Sequence, residues 1–282
     1  MIKSSVYVTG ASGFIGGKLI QKLEKQNVPY FAVSRKKLEV ENSIIVSNYN
    51  EFNPKDGSLL IHLAENNNEN YAKLRGKKLV EQNKEKIHDL IKKKWEHIVY
   101  LSSALVYDFE HPNYKSGKNC NIIKATSEYQ KSKIECEKIV LDAGGTVLRM
   151  TNIYGENMSK KNIFSDIFKQ LQSEGPIILK NLKASRDFLW IDDAIEAIML
   201  ASKKKRNAIY NIATAKSTLI SELLEIILKM KNDKGRKIIE KNININNPKI
   251  KIYINKTKQD LGWRPTTSLE DGIKKLLSDR EK

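Results

Sequence analysis

The sequence predicts an α/β protein with a Rossmann-type, doubly wound parallel sheet and a small C-terminal lobe. Three observations support this fold class. Short apolar runs alternate with longer helical stretches through the first half of the 282 residues, which is the pattern of βαβ units. The runs are apolar on both faces, as is typical of strands that helices cover on both sides. A glycine-rich turn follows the first run and leads into the first helix.

The first half of the chain gives six strands and three long helices. The strands are expected at Val6–Thr9, Tyr30–Val33, Ser43–Ser47, Leu59–Leu63, Ile98–Leu101 and Thr146–Met150. The helices are expected at Phe14–Gln26, Asn70–Lys94 and Thr126–Asp142, where apolar residues recur at helical spacing. Helices of this length between strands indicate crossover connections, and hence a parallel sheet.

The pattern loosens after Met150, where further segments are expected to complete the Rossmann domain and to form a smaller lobe. They are a helix at Ile163–Ser173, a strand after Pro176, a strand-helix pair at Phe188–Ser202, a strand at Ala208–Ile212 and helices at Thr218–Met230 and Leu269–Ser278. Residues 1–154 with about 186–214 are expected to form the Rossmann domain. Residues from about 155–185 with 215–282 are expected to form a substrate-binding lobe over the carboxyl edge of the sheet.

Charge and cysteine content narrow the possible partners. The formal net charge is +17, but the lysines are spread along the chain, which favours a solvated surface over a nucleic-acid-binding one. The two cysteines, Cys120 and Cys136, give no disulfide framework and no CxxC metal pair. No apolar run reaches membrane length. The sequence therefore predicts a cytoplasmic protein that holds no metal and binds neither nucleic acid nor a membrane.

The turn after the first strand predicts a dinucleotide site. It reads Gly10-Ala11-Ser12-Gly13-Phe14-Ile15-Gly16. Gly10 permits the tight turn, Gly13 lets backbone amides approach a pyrophosphate, and Gly16 lets the helix pack close to the strand. The amino end of the helix adds free N–H groups and a positive dipole end.

The second strand ends without the carboxylate that would favour NAD. An acidic residue about 20 residues after the turn binds the ribose 2′-hydroxyl of NAD. Here Ser34 and Arg35 stand at that place, followed by two lysines, and both suit a 2′-phosphate. NADP is therefore expected as the cofactor, and NAD stays possible because Arg35 is one cation among many.

Tyr129 and Lys133 are the candidate catalytic pair. They are four residues apart on a predicted helix, so they share a face, and Ser127 with Gln130 has capping-box spacing just before them. A nearby ammonium lowers the pKa of a phenol towards working pH, which suits a proton-transfer group. The same Tyr-x-x-x-Lys spacing at Tyr114 lies in a predicted loop.

Several further motifs follow one another along the chain. With the glycine turn and Tyr129 with Lys133, they are His62-Leu63-Ala64, Asn83, Ser102-Ser103-Ala104-Leu105-Val106-Tyr107, Asn152-Ile153-Tyr154-Gly155, Arg186-Asp187-Phe188, Tyr210-Asn211-Ile212 and Leu261-Gly262-Trp263-x-Pro265. The order of these motifs resembles that of the extended short-chain dehydrogenase/reductases of the NAD(P)-dependent epimerase/dehydratase (nucleotide-sugar) family. The resemblance covers nearly the whole chain.

The resemblance implies a role for each matching residue. Ser103 and Tyr129 would contact the sugar oxygen that is oxidised or reduced, with Tyr129 as acid/base. Lys133 would hold the nicotinamide ribose and lower the pKa of Tyr129. Asn152 and Arg186 would bind the substrate diphosphate. The remaining cofactor contacts would be Asn48, Leu63, Ala64 and Asn83.

Departures from the family pattern narrow the chemistry. Ala104 and Leu105 stand where the family's 4,6-dehydratases carry an Asp-Glu pair, and Ala104 stands where its fucose synthases place a cysteine. Dehydration and 3,5-epimerisation are therefore not expected.

Glu65 replaces a usual small residue after His-Leu-Ala, and Asn48 stands where an acidic adenine contact is common. His62 is expected to be packed rather than catalytic.

Simple redox at one carbon remains, either net reduction of a keto sugar or 4-epimerisation. The expected activity is reduction of a nucleotide-linked 4-keto(-6-deoxy) sugar with NADPH, because the NADP signature at Arg35 suits net consumption of reductant. A 4-epimerase with tightly bound NAD is the alternative, and a catalytically silent cofactor sensor of the same fold is the second. The partner is a nucleotide-diphosphate sugar. The resemblance also implies a homodimer, because in this family the helices that correspond to Asn70–Lys94 and Thr126–Asp142 often form a four-helix interface about a two-fold axis. An apolar stripe on these two helices supports it: Ile87, Leu90, Ile91, Ile134 and Val140.

Overall fold

The computed structural model describes residues 2–65, 69–111, 122–241 and 250–280. In these ranges the strands are β1 (Val6–Thr9), β2 (Tyr30–Ser34), β3 (Ser43–Ile45), β4 (Ser58–His62), β5 (Trp95–Ser103), β6 (Thr146–Met150), β7 (Asn152–Tyr154), β8 (Ile177–Leu179), β9 (Ser185–Arg186), β10 (Phe188–Trp190), β11 (Ala208–Ile212), β12 (Thr218–Leu219) and β13 (Ile238–Glu240). The helices are α1 (Phe14–Lys25), α2 (Glu69–Arg75), α3 (Lys77–Ile91), α4 (Glu128–Asp142), α5 (Ile163–Gln170), α6 (Ile191–Lys204), α7 (Ile220–Met230), α8 (Asn255–Leu261) and α9 (Leu269–Arg280).

Seven of these strands form one parallel sheet in the order β11-β6-β5-β4-β1-β2-β3. The chain starts in the middle at β1, moves outward to β3, and then returns to β4 on the other side of β1. The direction of winding therefore reverses between β1 and β4. In open α/β sheets this reversal marks the edge where ligands bind.

Helices cover both faces of the sheet. On one face α1 packs against α6, and Leu19 and Ile198 share a core with Val8 of β1. On the other face α3 packs against α4, and Val140 shares a second core with Tyr7 of β1. Neighbouring residues of β1 thus point into different cores, as the alternation of side chains along a strand requires. The predicted doubly wound, Rossmann-type fold is confirmed.

The single helix expected at Asn70–Lys94 is wrong, because two helices occupy this segment. Gly76 separates α2 from α3 with φ +55. Residues with a Cβ seldom adopt such a conformation, so the glycine interrupts an apolar pattern that otherwise continues. The prediction also missed α8, whose seven residues are mostly polar.

The C-terminal segments are fastened to the amino end of α6. The two carboxylate oxygens of Asp193 accept hydrogen bonds from the backbone of Thr266 (3.1 Å) and of Thr267 (3.0 Å). The indole of Trp263 donates to the carbonyl oxygen of Asp193 at 3.0 Å. Trp263 and Trp190 are 2% and 1% exposed.

None of the described helices combines the length and the apolar character needed to cross a membrane.

Described residues of the predicted smaller lobe share the main core of the protein. Ile177, Leu224 and Ile273 belong to the same apolar cluster as Val8 of the central strand. Three short strand pairs, β7 with β10, β8 with β13 and β9 with β12, lie outside the main sheet. The boundaries near residues 154, 186 and 214 stay a prediction.

The apolar stripe expected at a dimer interface lies mostly inside the protomer. Ile87, Leu90 and Val140 are at most 1% exposed and pack against the sheet. These side chains therefore stabilise the fold of one chain. The homodimer stays a prediction, and the stripe no longer supports it.

Candidate active site

The carboxyl edge of the sheet gathers the residues expected at the site. Parallel strands end at the same edge, so residues that follow them come together there. The residues that end or directly follow strands of the main sheet are Gly10 (β1), Arg35 (β2), Leu63 and Ala64 (β4), Ser103 (β5) and, beyond Thr151, Asn152 (β6). Asn48 follows β3 after two further residues.

The glycine turn has no room for side chains at its two ends. Gly10 has φ +73, and a Cβ there would lie 2.9 Å from the backbone of Ala64. A Cβ on Gly16 would lie 2.2 Å from the carbonyl oxygen of Gly10. Gly13 stands just before α1 and donates its N–H to that same carbonyl at 2.9 Å. The other residues expected to touch a cofactor here are partly or fully exposed, namely Ser12, Phe14 and Ile15.

The first turn of α4 is tied to the segment that follows Ser103. The predicted capping box is present, because the backbone N–H of Gln130 donates to Ser127 Oγ at 3.2 Å and the backbone N–H of Ser127 donates to Gln130 Oε1 at 2.9 Å. The Gln130 amide also donates to the carbonyl oxygen of Leu105 at 2.6 Å. This contact holds Tyr129, the preceding residue, near the end of β5.

Lys133 lies one turn further along α4 and reaches the same strand. Its Nζ donates to the carbonyl oxygen of Leu101 at 2.7 Å, two residues before Ser103. Tyr129 is 7% exposed and packs against Ala72 of α2. The structure therefore places Tyr129 and Lys133 of α4 beside the end of β5, where Ser103 stands, and the catalytic roles of the three residues remain predictions.

A buried carboxylate that the sequence reasoning noted only as a departure pairs with Lys133. Glu65 Oε2 lies 2.6 Å from Lys133 Nζ, and the two side chains are 6% and 7% exposed. The hydroxyl of Tyr100 donates to the other oxygen of Glu65 at 2.6 Å. The position of Glu65 in the sequence was the signal that could have indicated this pair. Glu65 follows β4, β4 pairs with β5, and α4 packs against β5.

Both members of this pair are held in their charged forms. Burial favours the neutral form of Lys133, but the Glu65 carboxylate outweighs it and raises the lysine pKa above its usual value. Burial likewise acts to raise the pKa of Glu65, but the Lys133 ammonium, with a smaller contribution from His62, holds it below its usual value. Opposite charges at hydrogen-bond distance explain both directions.

His62 is buried beside this pair and stays neutral. Its Nδ1 lies 2.6 Å from Thr9 Oγ1, and its ring packs edge to face on Tyr49. Burial lowers the pKa of His62 to about 4, against an opposing effect of Glu65. The expectation that His62 is packed agrees with this placement.

A second buried ion pair lies below the edge of the sheet. Arg149 of β6 donates to Glu137 of α4 through Nη2 at 2.6 Å and through Nε at 3.0 Å. Ser102 donates to the same carboxylate. The guanidinium lies over the ring of Tyr107, whose hydroxyl donates to Asn211 at 2.7 Å. This network joins β5, β6, β11 and α4.

The residues expected to bind a diphosphate are neighbours. The backbone N–H of Asn152 donates to the carbonyl oxygen of Asp187, the residue after Arg186, at 3.1 Å. Asn152 is exposed and Arg186 is half-buried. A cavity of about 210 Å³ next to β9 and β10 is lined in part by Phe188, Thr214, Lys216 and Thr218. The sequence did not indicate a role for Asp187. Its carboxyl group is buried, and burial raises its pKa to about 6.

The remaining expected residues are placed as follows. Arg35 and Asn48 are exposed at the edge of the sheet. Asn83 is buried and donates to Ser132, the neighbour of Lys133, at 2.9 Å. The second Tyr-x-x-x-Lys pair, at Tyr114, lies outside the described residues. Within the described ranges, no three His, Cys, Asp or Glu side chains group to hold a metal ion, and the metal-free site stays a prediction.

The sequence matches one protein family over most of its length. The family is described as the NAD dependent epimerase/dehydratase family, and residues 6–213 match it. A protein of Methanocaldococcus jannaschii, provisionally named UDP-glucose 4-epimerase, is 28% identical over 97% of each chain. The dTDP-4-dehydro-6-deoxyglucose reductase of Escherichia coli is 25% identical over 98% of this chain and 97% of its own.

Solved structures share the fold over the whole chain. RMD from Pseudomonas aeruginosa, solved with NADPH, superposes with a TM-score of 0.82 at 20% identity and covers 99% of both chains. Other structures with this fold were solved with NAD. At this level of identity the likeness establishes the architecture alone.

Proposed function

Because the chain belongs to the NAD dependent epimerase/dehydratase family, we propose that it reduces a nucleotide-linked 4-keto(-6-deoxy) sugar with NADPH. A relative of nearly equal length is named as a reductase of a dTDP-linked 4-dehydro-6-deoxy sugar. The reaction class then follows from what the side chains around Ser103 are able to do.

The observation that carries the proposal is the contrast between α4 and the segment after β5. Tyr129 stands beside the end of β5 with a lysine one turn away, which is a proton donor with a cation next to it. Ala104 and Leu105 follow Ser103 directly, and neither side chain transfers a proton. Such a site supports redox at one carbon and offers no second acid/base pair for dehydration.

In this mechanism the chain positions the carbonyl and supplies the proton. Ser103 donates a hydrogen bond to the carbonyl oxygen, and Tyr129 transfers its phenolic proton to that oxygen as the carbon is reduced. A dihydronicotinamide cofactor, when bound, would supply the hydride. Lys133 would hold the cofactor ribose through the third N–H of its ammonium, because Leu101 and Glu65 accept the other two. Bulk solvent then restores the proton on Tyr129.

The glycine turn fits a dinucleotide. The backbone around Gly10 and Gly16 is too close for any Cβ, and it leads into the amino end of α1, where N–H groups favour phosphates. Ser34 ends β2 and the exposed Arg35 follows it, and neither position carries a carboxylate. This supports NADPH over NADH.

We expect NADPH to bind several-fold more tightly than NADH in calorimetry, and Arg35→Asp to reverse the preference. Tighter binding of NADH by the unmodified protein would contradict this.

Asn152 and Arg186 are proposed to bind the substrate diphosphate, because the backbone of Asn152 is hydrogen-bonded to Asp187, the residue next to Arg186. We also propose a homodimer, as stated from the family resemblance. Light scattering at micromolar concentration tests it, and the mass of a single chain would refute it.

A 4-epimerase is the second candidate, favoured by the name of the M. jannaschii relative. Such an enzyme would keep NAD bound and return the hydride to the same substrate. A catalytically silent cofactor sensor is the third, and the Ser103, Tyr129 and Lys133 set counts against it, because a sensor needs no proton donor.

One experiment separates these candidates. The purified protein is incubated with NADPH and a panel of nucleotide-linked 4-keto-6-deoxy sugars, and NADPH absorbance is followed. Stoichiometric loss of NADPH supports the reductase. Isomerisation of UDP-glucose without net change in cofactor supports the epimerase. Binding of cofactor with neither reaction supports the sensor.

A further inference from the structure

Glu65 is a carboxylate placed against the lysine that the proposed mechanism uses. The distance from Glu65 Oε2 to Lys133 Nζ is 2.6 Å, and both side chains are more than nine-tenths buried. Tyr100 fixes the other Glu65 oxygen at 2.6 Å, and its ring lies 4.9 Å from Lys133 Nζ. The carboxylate is therefore anchored to β5 rather than free to swing away.

The pairing changes what Lys133 does to its neighbour Tyr129. An unpaired ammonium favours the phenolate form of a nearby tyrosine. An ammonium in contact with a carboxylate acts more weakly on a third group, because the fields of the two opposite charges oppose each other. Lys133 and Tyr129 interact electrostatically, and Glu65 weakens that interaction.

We propose that Glu65 is a positioning residue that neutralises Lys133 and so keeps Tyr129 protonated as the proton donor. The consequence for catalysis rests on the proposed function, because a reductase needs the phenol and an oxidation step needs the phenolate. Glu65 thereby extends to higher pH the range in which the site reduces a carbonyl.

The other ionisable groups around the pair do not replace Glu65. From β4, His62 is neutral above a pKa of about 4. From β5, burial raises the pKa of Tyr100 well above its usual value, so it too is neutral. From α4, burial raises the pKa of the Cys136 thiol, and Glu137 is paired with Arg149.

Two groups complete these surroundings. On α3, Lys86 adds a weaker positive charge that acts on His62. Before β4, the pKa of Tyr49 is raised to about 12, chiefly by burial. Among the side chains that the structure describes around Lys133, Glu65 thus supplies the negative charge in direct contact.

A spectroscopic titration tests this without cofactor or sugar. The phenolate absorbance of each protein is followed against pH and compared with that of its Tyr129→Phe counterpart, which isolates the signal of Tyr129. In Glu65→Gln the amide keeps the shape of the side chain but not its charge. We expect the Tyr129 midpoint to fall by about 1 pH unit or more. Glu137→Gln, the matched loss of a buried carboxylate on α4, should leave the midpoint near that of the wild type.

A paired neutral variant keeps the test valid if Glu65→Gln does not fold. Lys133→Met with Glu65→Leu replaces the whole ion pair by apolar side chains. Replacing a buried ion pair in this way often leaves the stability of a protein unchanged or higher. The midpoint of the Tyr129 titration should match that of the wild type. An ion pair without net charge and a pair of apolar side chains should affect the proton of Tyr129 to the same extent.

Two results would overturn the inference. One is an equal shift in Glu65→Gln and Glu137→Gln, or no shift in either. The other is a midpoint well above the wild type in the double variant, since Lys133 would then act on Tyr129 despite Glu65. Failure of the sugar panel alone would refute the proposed reaction and leave the titration result standing. With an active substrate, Glu65→Gln should also move the basic limb of the reduction profile to lower pH.

Discussion

Lys133 and Glu137 lie one turn apart on α4. Each forms a buried ion pair, and the two partner residues come from different parts of the sheet. Lys133 pairs with Glu65 at the carboxyl edge, while Glu137 pairs with Arg149 one layer below it. The inner pair is surrounded by protein partners, with Ser102 on the carboxylate and Tyr107 under the guanidinium. The outer pair faces the place expected for the cofactor.

The two pairs differ in the geometry of the cation and in their place relative to the carboxyl edge of the sheet. An ammonium has three N–H donors, and among the described residues Lys133 directs them at Leu101 and Glu65. Arg149 makes a two-pronged contact with one carboxylate. The same type of interaction thus joins strands and helix in one place, and in the other it holds the lysine that we propose for cofactor binding.

Tyr129→Phe should produce the largest effect, and it tests the outer region. General acid groups typically contribute about 10²–10⁴ in rate, so turnover on an active keto sugar should fall within that range. Cofactor affinity should stay nearly unchanged, because the ring remains. Steady-state kinetics and calorimetry measure the two quantities.

Tyr107→Phe is the matched control from the inner region. It keeps the ring over Arg149 and removes a hydrogen bond to Asn211, which is worth about 1 kcal/mol of stability. Turnover should stay close to that of the wild type. The contrast between the two regions fails if Tyr107→Phe slows the reaction as much as Tyr129→Phe does.

Glu137→Ala tests the inner pair through stability. It leaves Arg149 buried without a counter-charge, and we expect a loss of about 3–5 kcal/mol in the free energy of unfolding. Arg149→Met with Glu137→Leu removes both charges and should unfold in urea close to the wild type.

The corresponding change in the outer pair, Lys133→Met with Glu65→Leu, should also keep stability but lose turnover and cofactor affinity. If the inner double variant lost turnover to the same degree, the division of roles between the two pairs would be wrong.

The last test concerns His62 and extends the comparison to pH. Its pKa is about 4 in the folded protein and 6.5 in the unfolded reference. The unfolded chain therefore binds more protons between these values, and the stability that the neutral imidazole contributes is lost as the pH falls from about 6.5 to about 4. His62→Asn should show a smaller loss of stability over this window in urea unfolding. An unchanged pH dependence would contradict the assignment.

The sequence allowed the architecture and the local geometry of the turn to be predicted, because both depend on short-range patterns. The glycines at Gly10 and Gly16 and the capping box of Ser127 are local, and the structure contains each as expected. The Glu65–Lys133 pair joins residues 68 positions apart, and no local pattern encodes it. The break at Gly76 was visible as a residue, but its φ of +55 depends on how α2 and α3 pack.

The contacts of Asp193 have a consequence for how the protein is made. Thr266 and Thr267 lie 73 and 74 positions further along the chain. While the ribosome is still adding residues, α6 therefore emerges long before the threonines that complete its amino end. Chains begin to fold from the amino terminus during synthesis, and contacts of long sequence separation form late. We expect nascent chains that stop before Thr266 to hold α6 against the sheet with its first turn unfinished.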